Sequence, residues 1–573
     1  MQIRLSQVVG ALSHALDITH GQPAGHAART CLIGMRIAEA IGLDAEDRSA
    51  LFYALLLKDA GCSTNASRIA TLYGADDDVV KRDLKVTDRR RASDALRHVA
   101  RNAGAGATPA ARARQVLRTA VGAARGTREL YAMRCERGAD IARMIDLGEA
   151  TAGAILHLDE HWDGGGHPAG AAGEAIPLLG RILCLSQTME VFWQRGGPAA
   201  AVEVARQRRG TWFDPGLVDA LRALEADAAF WAALPRARPD AVEPEDRVLV
   251  AGDDRLDRIA EGFARVVDAK SPFTGRHSEG VAEIAVALGG ELGVGSDDLR
   301  TLRRAGLLHD LGKLAVSNRI LDKPEGLNEV EWGIVRAHPA MSERILLGVD
   351  AFGEIARIAG NHHERLDGSG YGRGRTAAAL DPLSRTLAVA DVAEALSAER
   401  PYRPALPAGE VLAIMRRDAG RKLDADAFAA LEGYLPGRGA GAPVVDAAMP
   451  RGPWRAARAE PPGAAGHRGR RRASLLGPGT RSGEVAQEPV ARQPGHALER
   501  AGLLEQVTGA GHDLAHGLAA QRRLRAPVEV QHVGVTPTGD EQRRRRDARQ
   551  RVGGEVGAPA ARDHRADAVG PLR

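Results

Sequence analysis

The chain has 573 residues with a net charge of +4, and the basic excess collects after about residue 438. Its four cysteines show no CxxC spacing, which excludes a disulfide framework and a sulfur-ligated structural zinc site. No apolar run approaches the ~20 residues of a membrane-spanning helix, so we expect a soluble, cytoplasmic protein. An aromatic fraction of 3% favours helices packed through Ala and Leu over sheets, which predicts an all-α fold.

Residues 1–235 begin with the amphipathic segment MQIRLSQVVGALSHALD and continue with apolar residues at intervals of three and four, as in ALFYALLLKDAG. Proline and charge interrupt this spacing around RARPDAVEPEDR, which predicts a linker over 236–250. Helical spacing returns over 251–435. After residue 436, Gly, Ala, Pro and Arg dominate and apolar faces disappear. We therefore expect 436–573 to be a low-complexity tail that is either disordered or translated from a shifted reading frame.

The same order of local patterns occurs in both halves of the folded part. AGHAART around His26 corresponds to GRHSEG around His277, and LLLKDAGCS around Asp59 corresponds to LLHDLGKLA around Asp310. Further along, LDEHWDGGGHPAG corresponds to HHERLDGSGYGRG, and RRGTWFDPGLVDAL corresponds to AGRKLDADAFAAL. Four matches in the same order predict a duplicated helical domain.

Polar residues interrupt apolar helices of the second half, which costs free energy unless something pairs with them. In RTLRRAGLLHDLGKL, the side chains of His309, Asp310 and Lys313 fall within about one helical turn and can face one point. In RTLAVADVAEAL, Asp391 lies among apolar residues, where an isolated carboxylate is expensive to ionise. The two carboxylates therefore predict a bound cation.

Five imidazoles accompany these carboxylates in the second half: His277, His309, His338, His362 and His363. Any one histidine is more commonly a hydrogen-bonded core or surface residue than a ligand, but a shared metal explains the whole set. Imidazole with carboxylate suits iron, manganese or zinc. Asp310 could bridge two ions, which would lower the pKa of a shared water and bind a phosphoryl oxygen. Lys313 would stabilise the developing negative charge, so the pattern predicts phosphate-ester hydrolysis.

Four motifs resemble those of the HD-GYP family of phosphohydrolases: HDLGK at 309–313, RAHP at 336–339, HHERLDGSGYG at 362–372 and ADVAEAL at 390–396. The resemblance covers about 265–430, with 1–230 as a degenerate copy. It implies tandem all-helical HD domains, the second intact, that hydrolyse cyclic di-GMP to linear pGpG or GMP in bacterial second-messenger signalling. It also implies a centre of two metal ions, iron or manganese first, with zinc, magnesium, nickel or cobalt as alternatives.

Carried over by position, the resemblance implies two catalytic residues, Asp310 and Lys313, and the following metal ligands: His277, His309, Asp310, His338, His362, His363 and Asp391. Some members bind a third ion through a glutamate four residues before the first histidine. Phe273 occupies that position, so we expect two ions.

The segment ERPYRPAL matches the part of the family pattern that holds substrate. Arg400 and Arg403 are therefore candidate contacts for phosphate and guanine, since arginine pairs with both through its planar edge. The alternative is that they are solvated arginines in a Pro-rich loop. Tyr371 in the GYP-like loop is a third candidate, but Gly372 replaces the usual proline, which is expected to loosen the loop.

The first half departs further from the family pattern. Lys58 stands in place of His309, and Gln187 stands in place of Asp391. Leu158 and Asp159 replace the histidine pair. A lysine ammonium has no free lone pair and repels a cation, so this half is expected to be catalytically inactive. It would serve as a packing or regulatory partner, with a retained ligand pocket as an alternative.

Three functions remain open from the sequence. The leading one is a metal-dependent cyclic di-GMP phosphodiesterase, and the second is hydrolysis of another nucleotide or phosphate ester. The third is a signalling regulator that binds nucleotide without turnover. Protein partners could bind the GYP-like loop or the degenerate half. The run Arg543–Arg546 could contact nucleic acid, although a solvated charge run is the more ordinary interpretation.

Overall fold

A computed structural model of the chain describes residues 3–88, 91–272, 274–398 and 405–437. Phe273, Arg400, Arg403 and the predicted tail beyond residue 437 lie outside these ranges, as does the run Arg543–Arg546. The predictions that fall on those residues stay predictions.

The fold is all-α, as predicted from the low aromatic content. Within the described ranges the single sheet has two short strands, β1 (Ile3–Arg4) and β2 (Val250–Ala251), which pair antiparallel. None of the helices there combines the length and apolarity needed to cross a bilayer. This sheet joins the start of the first half to the start of the second.

The helices of the first half are α1 (Leu5–Thr19), α2 (His26–Ala40), α3 (Ala45–Leu57), α4 (Ala66–Tyr73), α5 (Asp77–Leu84), α6 (Ala92–Asn102), α7 (Pro109–Met144), α8 (Gly148–Leu156), α9 (Leu178–Gln207), α10 (Pro215–Ala220), α11 (Arg222–Glu225) and α12 (Ala228–Ala233). The helices of the second half are α13 (Asp253–Asp268), α14 (His277–Glu291), α15 (Ser296–Leu308), α16 (Asn318–Leu321), α17 (Glu329–Arg336), α18 (His338–Leu346), α19 (Gly353–Gly360), α20 (Pro382–Ser397), α21 (Ala408–Met415) and α22 (Ala425–Tyr434).

Side-chain caps explain where several helices begin. The Asp44 carboxylate accepts the amide proton of Asp47 at 2.9 Å at the start of α3. Asn328 and Glu331 form a reciprocal capping box that fixes the first turn of α17. Asp381 caps α20, the helix that carries Asp391. Two helices near the predicted site, α17 and α20, are therefore anchored at their N-termini by local hydrogen bonds.

The repeat predicted from the sequence is also present in three dimensions. Helices α2 and α14 both have 15 residues and begin at a histidine, and α3 and α15 both have 13 residues. Similar β-bridges close a turn near the end of each half, Arg209 with Phe213 and Ala419 with Leu423. The exact domain boundaries remain predictions.

The two halves share one hydrophobic core and meet beside the HD motif. Helix α1 packs against the 3₁₀ helix Leu311–Ala315, which follows that motif. The buried carboxylate of Asp77 accepts the amide proton of Asn318 at 3.1 Å. Within the second half, Lys270, whose pKa burial lowers to about 8, donates to the carbonyl of Leu314 at 2.6 Å. The first half thus braces the segment that carries Lys313.

Candidate metal centre

The HD motif lies at a helix end. Helix α15 ends at Leu308, His309 caps it, and Asp310 leaves the helical conformation before the 3₁₀ helix that carries Lys313. The predicted single helical turn is therefore wrong in detail, but the side chains still converge, because Lys313 Nζ donates to Asp310 Oδ2 at 2.6 Å. A Cβ on Gly312 would lie 2.1 Å from the carbonyl oxygen of His338, so glycine allows α18 to pack directly on this turn.

All seven predicted ligand side chains converge within one buried cluster. His277 and His338 are the first residues of α14 and α18, and the pair His362–His363 follows the end of α19. The clustered atoms form two groups. One group contains His277, His309 and Asp310, and the other contains His338, His362 and His363. In each group the candidate ligand atoms lie within 4.8 Å of one another.

Asp310 lies between the two groups. Its Oδ2 atom is 3.5 Å from His277 Nε2 and 3.4 Å from His309 Nε2. Its Oδ1 atom is 3.2 Å from His338 Nε2 and 3.8 Å from His362 Nε2. Each carboxylate oxygen therefore faces a different group of histidines, which is the arrangement a bridging carboxylate needs.

Asp391 has a similar position on the other side of the cluster. Its Oδ1 atom is 3.4 Å from His277 Nε2 and 3.8 Å from His309 Nε2. Its Oδ2 atom is 3.7 Å from His363 Nδ1. Two carboxylates and five imidazoles therefore surround a common centre.

Backbone carbonyls orient three of the rings. The Nδ1 atoms of His309, His338 and His362 lie 2.7, 2.7 and 2.6 Å from the carbonyl oxygens of Gly306, Val335 and Ala359. Because a carbonyl can only accept, each Nδ1 carries the proton and each Nε2 directs a lone pair into the cluster. His277 is oriented differently, through a short hydrogen bond between its Nδ1 and the carboxylate of Glu394.

This donor set fits divalent metal ions. His338 Nε2 and His362 Nε2 face each other at 3.1 Å, although neither has a proton left to donate. Three further buried atoms have no hydrogen-bond partner among the described residues: His309 Nε2, Asp310 Oδ1 and His363 Nδ1. Buried lone pairs without donors are costly, and a cation in contact with them would remove that cost.

The ionisation states also suit a cation. Burial acts to raise the pKa of Asp310, but the charge of Lys313 and a hydrogen bond from His277 act against it, and that pKa lies well below its usual value. Burial lowers the pKa of His362 and His363 well below normal, so both rings are neutral. His277 differs: against its burial, Glu394 raises its pKa well above the usual value, so this ring would release a proton on binding a metal.

Tyr371 lines the cluster, and its ring centroid lies 4.4 Å from that of His363. The loop around it is held by Glu364, whose carboxylate accepts the amide protons of Arg373 at 2.6 Å and Arg375 at 2.9 Å. Gly372 has a φ of 131°, which proline cannot adopt. The loop therefore has a backbone path that the usual proline would not allow.

Glu394, the partner of His277, was not among the residues predicted from the sequence. The signal was present, because Glu394 follows Asp391 by three residues in a helix and must share its face.

In the first half, the cluster that corresponds to the candidate metal centre contains positively charged side chains. Lys58 forms a short ion pair with Asp59, and Lys85 Nζ lies 3.8 Å from the same carboxylate. Arg134 pairs with Asp159 at 2.7 Å. The charges of this cluster are thus compensated without a metal, which is the physical basis for the predicted loss of catalysis in this half.

The helical fold and the buried His and Asp cluster define an HD-domain protein. The HD domain family matches residues 114–217 and 262–427, so it matches part of each half. The 3'3'-cGAMP-specific phosphodiesterase 3 of Vibrio cholerae is 42% identical over 435 residues, which cover 75% of this chain and 94% of that protein. The crystal structure of a cyclic GMP-AMP specific phosphodiesterase of V. cholerae, V-cGAP3, aligns with a TM-score of 0.52 and 36% identity over 76% of this chain and 98% of that one.

A shorter match is found with a further relative. The cyclic di-GMP phosphodiesterase response regulator RpfG of Xanthomonas campestris is 33% identical over 189 residues, which cover 32% of this chain and 50% of that protein. The chain belongs to the HD-GYP family and is a metal-dependent phosphodiesterase, as its motifs predicted.

Proposed function

We propose that the second half hydrolyses a phosphodiester bond of a cyclic dinucleotide at a centre that holds two divalent metal ions. The observation that carries the proposal is the position of Asp310, with one carboxylate oxygen toward each group of histidines. Such ions supply an activated water and neutralise charge on the phosphoryl oxygens. The proposed ligands are the seven predicted ones: His277, His309, Asp310, His338, His362, His363 and Asp391.

The residues of the chain would act by orientation and charge. The carbonyls of Gly306, Val335 and Ala359 hold three imidazoles in place before substrate arrives. Lys313 is 23% exposed and pairs with Asp310, so its ammonium lies at the edge of the centre, where it would stabilise negative charge on the scissile phosphate. Arg400 and Arg403 remain predicted substrate contacts.

For the substrate we propose 3'3'-cGAMP first and cyclic di-GMP second. The relative aligned over 94% of its own length carries the name 3'3'-cGAMP-specific phosphodiesterase, and this match includes the tandem arrangement. Cyclic di-GMP, the substrate predicted from the motifs, is named for RpfG and for a Pseudomonas aeruginosa protein that is 38% identical over 143 residues. Both nucleotides contain guanine and two 3'–5' phosphodiester bonds.

The test is product analysis with purified protein loaded with Mn²⁺ or Fe²⁺. We expect 3'3'-cGAMP and cyclic di-GMP to yield linear dinucleotides or mononucleotides by liquid chromatography and mass spectrometry. A chelator should abolish the products, and re-addition of metal should restore them. Binding of nucleotide without product in any metal would refute the proposal and favour the regulator. Hydrolysis of generic phosphodiesters alone would favour the broader phosphohydrolase.

A further inference from the structure

An exposed arginine lies at the rim of the centre in an aromatic setting. Arg336 ends α17, two residues before His338. Its guanidinium carbon lies 5.4 Å from the ring centroid of Trp332 and 5.9 Å from that of Tyr371. Both rings are half-buried, whereas Arg336 is exposed. We call Tyr371, Arg336 and Trp332 the rim stack.

The rim stack extends the proposed centre outward. The Tyr371 ring packs on His363, with an interplanar angle of 33°, and Arg336 lies beyond Tyr371. Trp332 is one helical turn from Arg336 on α17, whose first turn is fixed by its capping box. The arginine is therefore held at a defined distance from the cluster by a rigid helix.

The guanidinium charge is available to a ligand. Among the described residues no carboxylate lies within ion-pair distance of Arg336, and Glu331 of the same helix is paired with Lys323 at 2.6 Å. The two aromatic rings lie near the guanidinium group and can restrict its orientation. A planar fork of N–H donors matches the O6 and N7 acceptors of guanine, the commonest specific contact that arginine makes with a base.

We propose that Arg336 is a specificity-determining residue that recognises a guanine base of the substrate, an inference that rests on the proposed function. With the scissile phosphate at the metal ligands and Lys313, the Tyr371 ring separates Arg336 from the reacting atoms. The part of a cyclic dinucleotide that extends past this ring is a base. The aromatic rings of Tyr371 and Trp332 lie beside this base, and the guanidinium group of Arg336 donates hydrogen bonds to its O6 and N7 atoms.

The experiment compares wild type, R336A, R336K and R344A on cyclic di-GMP, 3'3'-cGAMP and cyclic di-AMP. Affinity is measured as KM, or as an inhibition constant where turnover is absent. R344A is the matched control, because Arg344 is an exposed arginine on the adjacent helix α18 that contacts Met341 and lies outside the rim stack. Metal content and melting temperature of each variant show whether the centre is assembled.

We expect wild type and R344A to bind the two guanine-containing nucleotides more tightly than cyclic di-AMP. R336A should weaken binding of those two by about 10- to 100-fold, with little change for cyclic di-AMP. R336K, which keeps the charge but loses the planar fork, should lose the preference as well.

Three results would overturn the inference. The first is an equal loss of affinity for all three nucleotides in R336A, which would indicate a phosphate contact. The second is a full preference for the guanine-containing nucleotides in R336K, and the third is an unchanged preference in R336A. If wild type hydrolyses none of the three, the proposed function itself fails. That outcome is distinguishable, because it appears without any variant.

Discussion

In the second half, Asp310 faces the Nε2 atoms of four histidines. In the first half, the corresponding Asp59 pairs with Lys58 and lies 3.8 Å from Lys85 Nζ. The two carboxylates are both buried and both follow a 13-residue helix. A buried carboxylate needs a compensating charge in either case. In the second half, Lys313 supplies part of this charge and, in our proposal, bound metal ions supply the rest. In the first half, Lys58 and Lys85 supply it.

The correspondence extends to the neighbouring helix. A Cβ on Gly61 would lie 1.9 Å from the carbonyl oxygen of Arg134, and one on Gly312 would lie 2.1 Å from that of His338. Arg134 therefore stands where His338 stands, so a second ligand position also carries a fixed cation. The predicted loss of metal binding in the first half would therefore combine replacement of the metal charge with loss of ligands.

The largest effect is expected when the second half receives the first-half residue. H309K places an ammonium among the remaining ligands and should reduce turnover of cyclic dinucleotides by about 1000-fold or more, because the metal contribution of several kcal/mol is lost. The reverse change, K58H, should create no activity in the first half, since Arg134, Leu158 and Gln187 still occupy ligand positions. Steady-state kinetics measure both. Substantial turnover by H309K would contradict the claim that a lysine at this position prevents catalysis.

The next effect concerns stability of the first half. D59N removes the counter-charge of buried Lys58 and of half-buried Lys85, so the free energy of unfolding should fall by about 3–5 kcal/mol in urea denaturation. The matched control is D140N, which breaks an exposed pair with Arg143 and should cost about 0–1 kcal/mol. Equal losses in the two variants would mean that the lysines do not depend on Asp59.

Equivalent glycines should give different defects in the two halves. G312A pushes α18 and His338 away from Asp310, and we expect turnover to fall by about 10- to 100-fold from misplacement of one ligand. G61A produces the same steric conflict with α7, but it should cost about 1–3 kcal/mol of stability while the folded protein keeps its turnover. Kinetics and urea denaturation of both variants test this pair. A catalytic defect in G61A as large as that of G312A would show that the halves do not act separately.

The smallest expected effect is that of metal removal on the first half. All four cysteines lie between residues 31 and 184 and are buried, and burial raises the pKa of Cys62 to about 11 and of Cys184 to about 12. Thiol labelling at pH 8 therefore reports opening of this half alone. A chelator should abolish turnover yet change the labelling rate by less than about twofold. D59N serves as the positive control, since it should accelerate labelling. Faster labelling after chelation would show that the first half also depends on a metal.

The sequence allowed most of the cluster to be predicted, because His309, Asp310, His362, His363 and Asp391 lie in short ungapped motifs where polar groups interrupt apolar spacing. Arg134 could not be matched to His338 in the same way. Arg134 lies inside the 36-residue helix α7, whereas His338 begins the short helix α18, so no local pattern aligns the two.

Contacts between distant segments also could not be predicted from the sequence. The rim stack joins α17 to a loop 35 residues further along, and its geometry depends on how the intervening helices pack. The contact of Asp77 with Asn318 beside the HD motif depends likewise on how the halves meet.

Metal content per chain tests the central claim most directly. Wild type, D310A and D59N would be loaded with Mn²⁺, freed of excess ion and measured by inductively coupled plasma mass spectrometry, with folding checked by circular dichroism. We predict two ions in wild type and in folded D59N, and none in D310A, because Asp310 contacts both groups of histidines. Two ions retained by D310A, or their loss in folded D59N, would contradict a single dinuclear centre in the second half.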